Sequence, residues 1–422
     1  MSQIAVIGGG LSGLNCAKYL ASAGNRIVLL EAASHLGGRV ATDVLDGFSL
    51  DHGFQVLQTA YPEAQRTLDY QALDLVELEP GAVIWKNNKW QRMSDPWRRP
   101  RHAIATMFND IGTIPDRWRL HKMKSDILAA GKGPFEDVNE SQDIRGQAAQ
   151  DSTTAEFLAS YGFSEDFEKS FLLPWISGMF LETRLDTSAE YFKFVFRMLS
   201  ENIVALPKRG MQAIPNQLAE GIVGGDLRLN CEVSGIEGYR VLLRSGETIE
   251  AEAVVLATQQ HVAQKLLGGS AEEPKVCATT CIYFAAPGKP VAEKSLMLNA
   301  DDPGPVNHVF IPTNTVANYS QSEKSLVSVN LVAEASSEFD HDAVLDQLHR
   351  WFGSQVDHWR LLKTFQIPYA LPQQPEGFFK STTPELPDGV FCCGDYLESG
   401  SIQGALLSGR KTAEQVLSFL GT

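Results

Sequence analysis

The stretch Ile4-Ala-Val-Ile-Gly-Gly-Gly-Leu-Ser-Gly13 determines how this chain folds. Four apolar residues lead into Gly8, Gly10 and Gly13, which have the G-x-G-x-x-G spacing. A helical pattern follows, and Arg26 to Glu31 has the composition of a second buried strand. This order is that of the dinucleotide-binding βαβ unit, in which the glycines let a pyrophosphate approach a helix N-terminus. Its context makes the alternative, a glycine turn without a ligand, a weak one.

Two further features extend this unit toward a nucleotide. Glu31 ends the second strand, where a carboxylate can accept hydrogen bonds from the hydroxyls of an adenosine ribose. Just beyond it, Gly37 and Gly38 let the backbone pass close to a phosphate, and Arg39 can bind phosphate oxygens with its planar fork of donors. A polar turn is the alternative for this segment, and its position directly after the acid argues against it.

Length and composition indicate an α/β protein of two or three domains. The chain has 422 residues, 44% of them hydrophobic, and 35 glycines that suit many tight turns. Its net charge of −15 argues against nucleic-acid binding. No apolar run has the length of a membrane span, and no charged-then-apolar leader precedes the first strand. We therefore expect a cytoplasmic protein, either soluble or peripheral on a membrane.

The cysteines predict neither a metal site nor a disulfide framework. No pair of Cys-x-x-Cys motifs with zinc spacing is present, so no metal is expected. Cys277 and Cys281 lie in a β-rich run, where buried free thiols are favoured over a redox pair. Cys392 and Cys393 end another apolar run and indicate core positions. This pattern suits a reducing compartment.

Asp51-His52-Gly53 completes a set of motifs with a recognisable resemblance. Together with the glycine fingerprint, Glu31 and Gly37-Gly38-Arg39, it resembles the superfamily of flavin-dependent amine oxidases and phytoene desaturases. That superfamily also contains protoporphyrinogen oxidases and hydroxysqualene dehydroxylases. The Gly-Gly-Arg segment is the most specific motif, because ordinary NAD dehydrogenases do not place it there. The resemblance spans essentially the whole chain, is weak over residues 76–204, and implies an FAD cofactor.

The resemblance also implies where FAD is held. Arg39 would lie by the pyrophosphate and ribityl chain, and the backbone of Val233 would meet the adenine. Near the far end, Asp395 would bond a ribityl hydroxyl, and the helix after Ser401 would present N–H groups to the flavin pyrimidine edge. The predicted FAD-binding residues are Gly8, Gly10, Leu11, Ser12, Gly13, Glu31, Ala32, Gly37, Gly38, Arg39, Gly53, Phe54, Gln55, Val56, Val233, Gly394, Asp395, Ser401, Ile402, Gln403 and Ala405.

The implied fold class is α/β: a Rossmann-like FAD-binding domain with a β-meander, of glutathione-reductase-like, amine-oxidase type, plus an α+β substrate domain inserted in two segments. The predicted FAD-binding domain comprises residues 1–75, 205–266 and 384–422, and the substrate-binding domain comprises 76–204 and 267–383.

Local patterns predict several elements of these domains. Three β runs cover 227–236, 239–244 and 248–258, and further strands are expected at 279–284 and 326–332. A helix is predicted over 343–352. Thr153 and Glu156 form a capping-box signature that starts another helix.

The segment from Lys86 to Lys124 is basic in an acidic protein. Ten lysines and arginines face three aspartates there, a local balance of +7, with Trp90, Trp97 and Trp118 interleaved. A basic, tryptophan-containing stretch can be an interfacial membrane segment. We favour the solvated face of ordinary helices and keep peripheral membrane contact through 86–124 as the alternative.

Four residues are candidates for a substrate pocket. The run Phe171 to Phe180 is apolar, aromatic and interrupted by proline and glycine, and the resemblance implies that it lines a cavity opposite the flavin. Core packing is the alternative for each of its side chains. The candidates are Trp175, Met179, Phe180 and Tyr369, the last from a segment that the resemblance places close to the flavin.

The kind of substrate follows from what is missing beside the last helix. Amine oxidases of this superfamily place an aromatic residue there, and this chain has Ser401 and Ile402. No cysteine attachment motif is apparent, so FAD is expected to be non-covalent. We therefore expect an apolar substrate, such as a polyene, isoprenoid or tetrapyrrole, that loses a hydride to flavin N5. An amine oxidase and a non-catalytic binding protein, like the Rab GDP-dissociation inhibitors of this architecture, are the alternatives.

The electron acceptor and the proton-handling residue are less defined. Only one G-x-G-x-x-G is present, so a second nucleotide site for NADPH is not encoded in that form. Electrons are expected to pass to oxygen or a quinone. His52 is a weak catalytic candidate, because a lone histidine at such a position is more often structural.

Overall fold

A computed structural model describes residues 2–94, 109–131, 133, 135, 151–269, 275–333, 339–378 and 386–421. The helices are α1 (Leu11–Ser22), α2 (Pro62–Thr67), α3 (Ile114–Ala129), α4 (Thr154–Ala159), α5 (Glu165–Phe167), α6 (Leu173–Phe180), α7 (Ala189–Glu201), α8 (Ala213–Glu220), α9 (Gln260–Leu266), α10 (Pro312–Thr315), α11 (His341–Phe352) and α12 (Ile402–Leu420). Shorter helical turns cover Glu168–Leu172, Ala317–Tyr319, Gly353–His358 and Asp395–Leu397.

The strands are β1 (Gln3–Ile7), β2 (Arg26–Leu30), β3 (Thr42–Leu45), β4 (Phe48–Asp51), β5 (Leu57–Gln58), β6 (Leu75–Glu77), β7 (Ala82–Lys86), β8 (Lys89–Met93), β9 (Val204–Pro207), β10 (Asp226–Arg228), β11 (Val233–Glu237), β12 (Arg240–Leu243), β13 (Thr248–Glu250), β14 (Ala253–Leu256), β15 (Val276–Ala286), β16 (Leu296–Asn299), β17 (Val306–Phe310), β18 (Ser325–Ala333), β19 (Arg360–Pro372) and β20 (Val390–Cys392).

A parallel sheet in the order β10-β2-β1-β14-β20 carries the predicted βαβ unit. Strands β1, β2 and β14 are apolar and buried, as parallel strands covered on both faces must be. The α/β fold class is therefore confirmed. One apolar core joins this sheet to α1 and α12, and a second joins it to an antiparallel meander of β11, β12 and β13.

A second large sheet has the order β19-β15-β18-β17-β16-β7-β8. Its outer face packs on α11, and its inner face contacts the loop after β4, where Phe54 meets the rings of His308 and Phe310. Its strands come from two separate parts of the chain, 82–93 and 276–372. The predicted division into two domains, with boundaries at 75/76, 204/205, 266/267 and 383/384, stays a prediction.

The strand predictions need one correction. The runs 227–236 and 248–258 each divide into two strands that belong to different sheets. In each run, one part joins the parallel sheet and the other joins the meander. An apolar run of about ten residues indicates β structure but does not show where one strand ends and the next begins, or which sheet each strand joins.

The interrupted segment around Pro174 and Gly178 is helical rather than broken. Residues Leu173–Phe180 form α6, which continues directly from the helical turn Glu168–Leu172, and Pro174 lies where the two meet. Gly178 lies inside this helix. A Cβ at this position would come 2.7 Å from Asn307 Oδ1 on β17, so the close approach of the helix to the strand favours glycine. The capping box of Thr153 and Glu156 is confirmed at the start of α4.

Candidate active site

The loop between β1 and α1 is the predicted pyrophosphate cradle. Gly8 has φ +112°, and a Cβ there would lie 2.5 Å from the carbonyl oxygen of Ala257. A Cβ on Gly13 would overlap the Gly8 carbonyl, so both positions require glycine for the chain itself. Gly10 differs, because a Cβ there would meet no atom within 4 Å. The space over Gly10 and the uncapped N-terminus of α1 fit a phosphate group.

Glu31 lies between two backbone segments beside this loop. Its carboxylate accepts hydrogen bonds from the N–H groups of Gly9, at 2.6 Å, and Ala33, at 2.7 Å. Cys231 N donates to the Glu31 carbonyl, so the chain leading to Val233 at the start of β11 passes the same point. Glu31 therefore lies close to the exposed Ala32 and to Val233, the predicted adenine contact.

The Gly-Gly-Arg segment is attached to the glycine loop. Gly37 N donates to the carbonyl of Gly9 at 2.7 Å, and Gly37 pairs with Gly10 in a parallel bridge. Gly38 has φ +60°, and a Cβ on it would lie 3.4 Å from the Cα of Gly10. Arg39 then extends across the site and donates to Asp395 Oδ1 at 2.6 Å and to the Ala370 carbonyl at 3.0 Å.

Gln55 connects Arg39 to the loop from Gly53 to Val56. Its Nε2 donates to the carbonyls of Arg39, at 2.7 Å, and His52, at 2.9 Å. Its Oε1 is buried and has no partner among the described residues. Phe54 packs on the inner face of the large sheet, and Val56 packs against the main core. Hydrogen bonds of Gln55 and the packing of Phe54 and Val56 therefore fix this loop, and Gln55 Oε1 remains as an acceptor for a ligand.

His52, the weak catalytic candidate, is tied into structural contacts. Its Nε2 lies 2.8 Å from Asp43 Oδ1, and its ring packs at 4.8 Å from Phe365 and 5.6 Å from His35. Lys363 bonds the other oxygen of the same carboxylate. The contacts favour a structural role for His52, and its catalytic role stays a prediction.

The far end of the chain supplies the other side of the site. Gly394 N donates to Ser408 Oγ at 3.0 Å, which fixes the turn that precedes Asp395. Ser401 caps α12 by accepting from Gly404 N at 3.0 Å. Gln403 accepts from Glu63 N through Oε1, and its Nε2 has no partner among the described residues. With Ile402 and Ala405 partly buried beside them, these residues bring a helix N-terminus to the site.

The pocket candidates divide into two kinds. Trp175 and Met179 lie on a half-buried side of α6, whereas Phe180 is buried against Tyr191 and Phe192 in the core. Tyr369 is next to the cofactor residues, because the Arg39 guanidinium lies 5.4 Å from its ring centroid. The assignment of all four to a substrate pocket stays a prediction.

The described part of the basic segment, residues 86–94 and 109–124, is divided between ion-paired strand residues and α3. Lys86 and Arg92 lie on β7 and β8 and pair with Asp166 and Glu293. Lys89 pairs with Asp110 at 2.6 Å. Trp90 is half-buried and packs against Trp85 and Trp351. The C-terminal part of the segment lies on α3. Arg98, Arg99, Arg101, Trp97, Met107 and Phe108 lie outside the described residues.

Two tyrosines that the sequence analysis missed reach the start of α12. Tyr191 OH donates to the carbonyl of Gly400 at 3.0 Å. The Ser401 hydroxyl lies near the Tyr61 phenol and partly offsets the rise in its pKa that burial causes. They come from the N-terminus of α2 and from α7. No local pattern distinguishes them from ordinary core aromatics, so only the tertiary structure identifies them.

Comparison with known families identifies the cofactor of this protein. The family model of flavin-containing amine oxidoreductases matches residues 11–417, which includes nearly every site residue described above. The chain belongs to this family. It is therefore an FAD-dependent oxidoreductase, and its cofactor is FAD. The open space over Gly10 and the unpartnered Oε1 of Gln55 agree with a bound cofactor of this kind.

Individual relatives of this flavoenzyme are more distant. It is 25% identical to a 15-cis-phytoene desaturase of Capsicum annuum over 98% of this chain and 78% of that one. A solved oxidoreductase from Methanosarcina mazei has a TM-score of 0.74 at 16% identity, covering 98% of this chain and 100% of the other. Putrescine oxidase with bound putrescine has a TM-score of 0.72 at 17% identity, covering 99% of each chain. The structural likenesses support the fold.

Proposed function

We propose that this flavoenzyme dehydrogenates a largely apolar small molecule, of the polyene, isoprenoid or tetrapyrrole type. The observation that carries this proposal is the apolar stripe of Phe171, Trp175 and Met179. These side chains recur at four-residue spacing, stay half-buried and present apolar surface, with the first two rings stacked at 5.6 Å. The sequence similarity to phytoene desaturases, which covers 98% of the chain, supports the same substrate class.

The chain's own residues supply binding and electrostatics for the reaction. When bound, FAD supplies a hydride acceptor at N5 for a substrate carbon. The glycine loop and Arg39 would hold the phosphates, and Asp395 would fix the ribityl end. The N-terminus of α12, capped by Ser401, would stabilise negative charge that develops on the reduced flavin. Non-covalent attachment agrees with the described cysteines, because five of the six are buried free thiols.

An amine substrate is the alternative within the family. By the resemblance, amine oxidases place an aromatic residue just before the last helix, and Ser401 occupies that position here. The likeness to putrescine oxidase is limited to 17% identity and concerns the fold. These observations favour an apolar substrate over an amine.

Anaerobic mixing with candidate substrates tests the proposal. Polyenes, isoprenoids and protoporphyrinogen should bleach the flavin absorbance, and putrescine should not. Bleaching by amines alone would overturn the substrate class. We further propose that electrons pass to oxygen or a quinone. The reduced flavin should then be reoxidised by dioxygen or by a soluble quinone, and NADP⁺ should leave it reduced.

We also propose that α3 is the surface through which this protein would contact a membrane. Ile114 and Trp118 lie one turn apart and are 65% and 69% exposed, and Lys122 and Lys124 follow on the same helix. Apolar side chains beside cations suit an anionic lipid surface. No helix among the described residues has the length and hydrophobicity of a membrane span. The cytoplasmic location stays a prediction.

Co-sedimentation with phosphatidylglycerol vesicles tests this contact. Binding should fall in Trp118→Ser and with added salt, and should be weak for phosphatidylcholine vesicles. Val223→Ser is a matched control, because Val223 is also exposed but lies in the loop before β10. Absence of binding at low salt would leave α3 as an ordinary solvated helix.

A further inference from the structure

Asp51, the first residue of the Asp51-His52-Gly53 motif, is buried at the base of a hairpin. It is 4% exposed and pairs with Thr42 in the antiparallel register of β3 and β4. Arg39 lies three residues before Thr42, and Gly53 lies two residues after Asp51. The pair of Thr42 and Asp51 therefore closes the hairpin that links the predicted phosphate-binding arginine to the predicted flavin loop.

The Asp51 carboxylate accepts hydrogen bonds from three separate parts of the chain. Its Oδ1 accepts from the Thr42 hydroxyl on β3, at 2.5 Å, and from Met211 N, just before α8, at 3.0 Å. Its Oδ2 accepts at 2.7 Å from the hydroxyl of Tyr319, which lies in the helical turn between β17 and β18. One buried carboxylate therefore connects the β3–β4 hairpin, the start of α8 and the second large sheet.

Backbone hydrogen bonds extend this fixed position into the loop that follows. Gly53 N donates to the Asp51 carbonyl at 2.8 Å, and His52 N donates to the Ala41 carbonyl at 2.9 Å. Gly53 has φ +92°, and a Cβ there would come 2.9 Å from Ile367 Cδ1 on β19. Because β19 lies so close, a displacement of Asp51 would move the start of the loop into a place with little room to adjust.

Burial and hydrogen bonding alone do not distinguish Asp51 from a purely structural carboxylate. Asp116 on α3 is also buried and accepts hydrogen bonds from Thr113 and Ser164. Those contacts join α3 to the turn before α5, away from the predicted cofactor residues. Asp51 differs in position, because it lies two residues before the predicted flavin loop and connects three parts of the chain there.

We propose that Asp51 is a positioning residue for FAD, and that its three hydrogen bonds set the place of the 53–56 loop relative to Arg39 and the second large sheet. This inference depends on the FAD cofactor and on the predicted role of the loop, and it is independent of the substrate class. Residues that bind a cofactor need their own supporting packing and hydrogen bonds, because a small displacement weakens each contact with the ligand. A change at Asp51 therefore alters how FAD is bound as well as how stable the fold is.

Titration of FAD-free protein with FAD, together with visible circular dichroism of the bound flavin, tests the proposal. Asp51→Ala should raise the Kd of FAD by about tenfold, equivalent to roughly one hydrogen bond, and should change the dichroism spectrum. Asp51→Asn should restore both, because its amide oxygen can accept from Thr42 and Met211 and its N–H can donate to the Tyr319 oxygen. Tyr319→Phe removes one hydroxyl and keeps the ring, so it should change the spectrum in the same direction as Asp51→Ala and by less.

Asp116→Ala is the matched control, because it also removes a buried carboxylate that accepts several hydrogen bonds. It should lower the free energy of unfolding and leave the Kd of FAD and the dichroism spectrum unchanged. Wild-type FAD binding in both Asp51→Ala and Tyr319→Phe, or equal changes in Asp51→Ala and Asp116→Ala, would overturn the proposal. An Asp51→Asn variant that binds FAD no better than Asp51→Ala would also overturn it. None of these measurements uses a substrate, so the proposed function is tested separately.

Discussion

The Arg39 guanidinium lies 2.6 Å from the Asp395 carboxylate, although 356 positions separate the two residues in the chain. Asp395 is buried, whereas about a third of the Arg39 side chain is exposed. The same guanidinium also donates to the Ala370 carbonyl of β19. The Arg39 side chain therefore connects three parts of the chain at the proposed flavin site. They are the N-terminal βαβ unit, strand β19 of the second large sheet, and the turn between β20 and α12.

Replacement of Arg39 should weaken FAD binding. In Arg39→Ala, charge-assisted hydrogen bonds to phosphate and to Asp395 are lost, so the Kd of FAD should rise by roughly tenfold or more, since such bonds contribute about 1.5–3 kcal/mol. Arg39→Lys should recover only part of the affinity, because an ammonium cannot form the planar fork. Reconstitution of FAD-free protein, followed by flavin fluorescence, measures this.

Arg228→Lys, which alters an exposed ion pair on β10, is the control. Unchanged FAD affinity in Arg39→Ala would show that Arg39 serves only the fold.

Gly10 and Gly13 should respond differently to the same substitution. A Cβ on Gly10 meets no protein atom, so Gly10→Ala should leave the stability of FAD-free protein within about 0.5 kcal/mol and still lower FAD affinity. A Cβ on Gly13 would overlap Gly8 and come 2.9 Å from the Ala257 Cβ. Gly13→Ala should therefore destabilise FAD-free protein by about 1–3 kcal/mol. Thermal unfolding and FAD titration of both variants check this. Full FAD affinity in Gly10→Ala would contradict the cradle.

Sequence reasoning recovered the features whose signals are local. The glycine loop, its strand and helix, and the capping box at Thr153 each depend on residues within a few positions of one another. A turn geometry or a cap is decided by the backbone requirements of those few residues. The resemblance of such motifs also predicts the positions of the two halves of the cofactor site, and these positions stay a prediction.

Sequence reasoning missed what depends on distant partners. The sequence predicts that Lys86 and Arg92 belong to the solvated face of helices, whereas both lie on strands and pair with Asp166 and Glu293 from other segments. It did not identify Tyr61 or Tyr191, because a buried aromatic has the same local pattern whether it fills a core or borders a site. Strand pairing and ion pairing are decided by tertiary register, which apolar periodicity does not encode.

Asp116 should make the stability of this protein depend on pH in the acid range. The carboxylate is buried, and burial alone would raise its pKa, but hydrogen bonds from Thr113 and Ser164 outweigh burial and lower it. The folded pKa thus lies below the unfolded value of about 3.9, so the contribution is fully present above pH ~4 and is lost as pH falls further.

Asp116→Asn tests this sign directly. At neutral pH the variant should be less stable than the wild-type protein by about 1–3 kcal/mol, because donors of Thr113 and Ser164 lose a charged acceptor. The difference should shrink as the pH is lowered below about 4. Urea unfolding across pH measures both quantities. Asp346→Asn, on the exposed side of α11, is the control. A difference that grows on acidification would contradict the assignment.

The buried ion pair of Glu63 and Arg410 should stabilise the end of the site where α12 begins. Arg410 Nε lies 3.0 Å from both carboxylate oxygens, and both side chains are almost fully buried. Because Glu63 lies on α2 and Arg410 on α12, the pair fixes α2 against α12. Arg410→Met would leave a buried unpaired carboxylate and should cost about 3–5 kcal/mol of unfolding free energy.

Glu63→Leu combined with Arg410→Met should recover part of that loss, because neither charge remains buried alone. Urea unfolding of the single and double variants measures the coupling, and a double variant with the summed loss of both singles would show that the two side chains act independently.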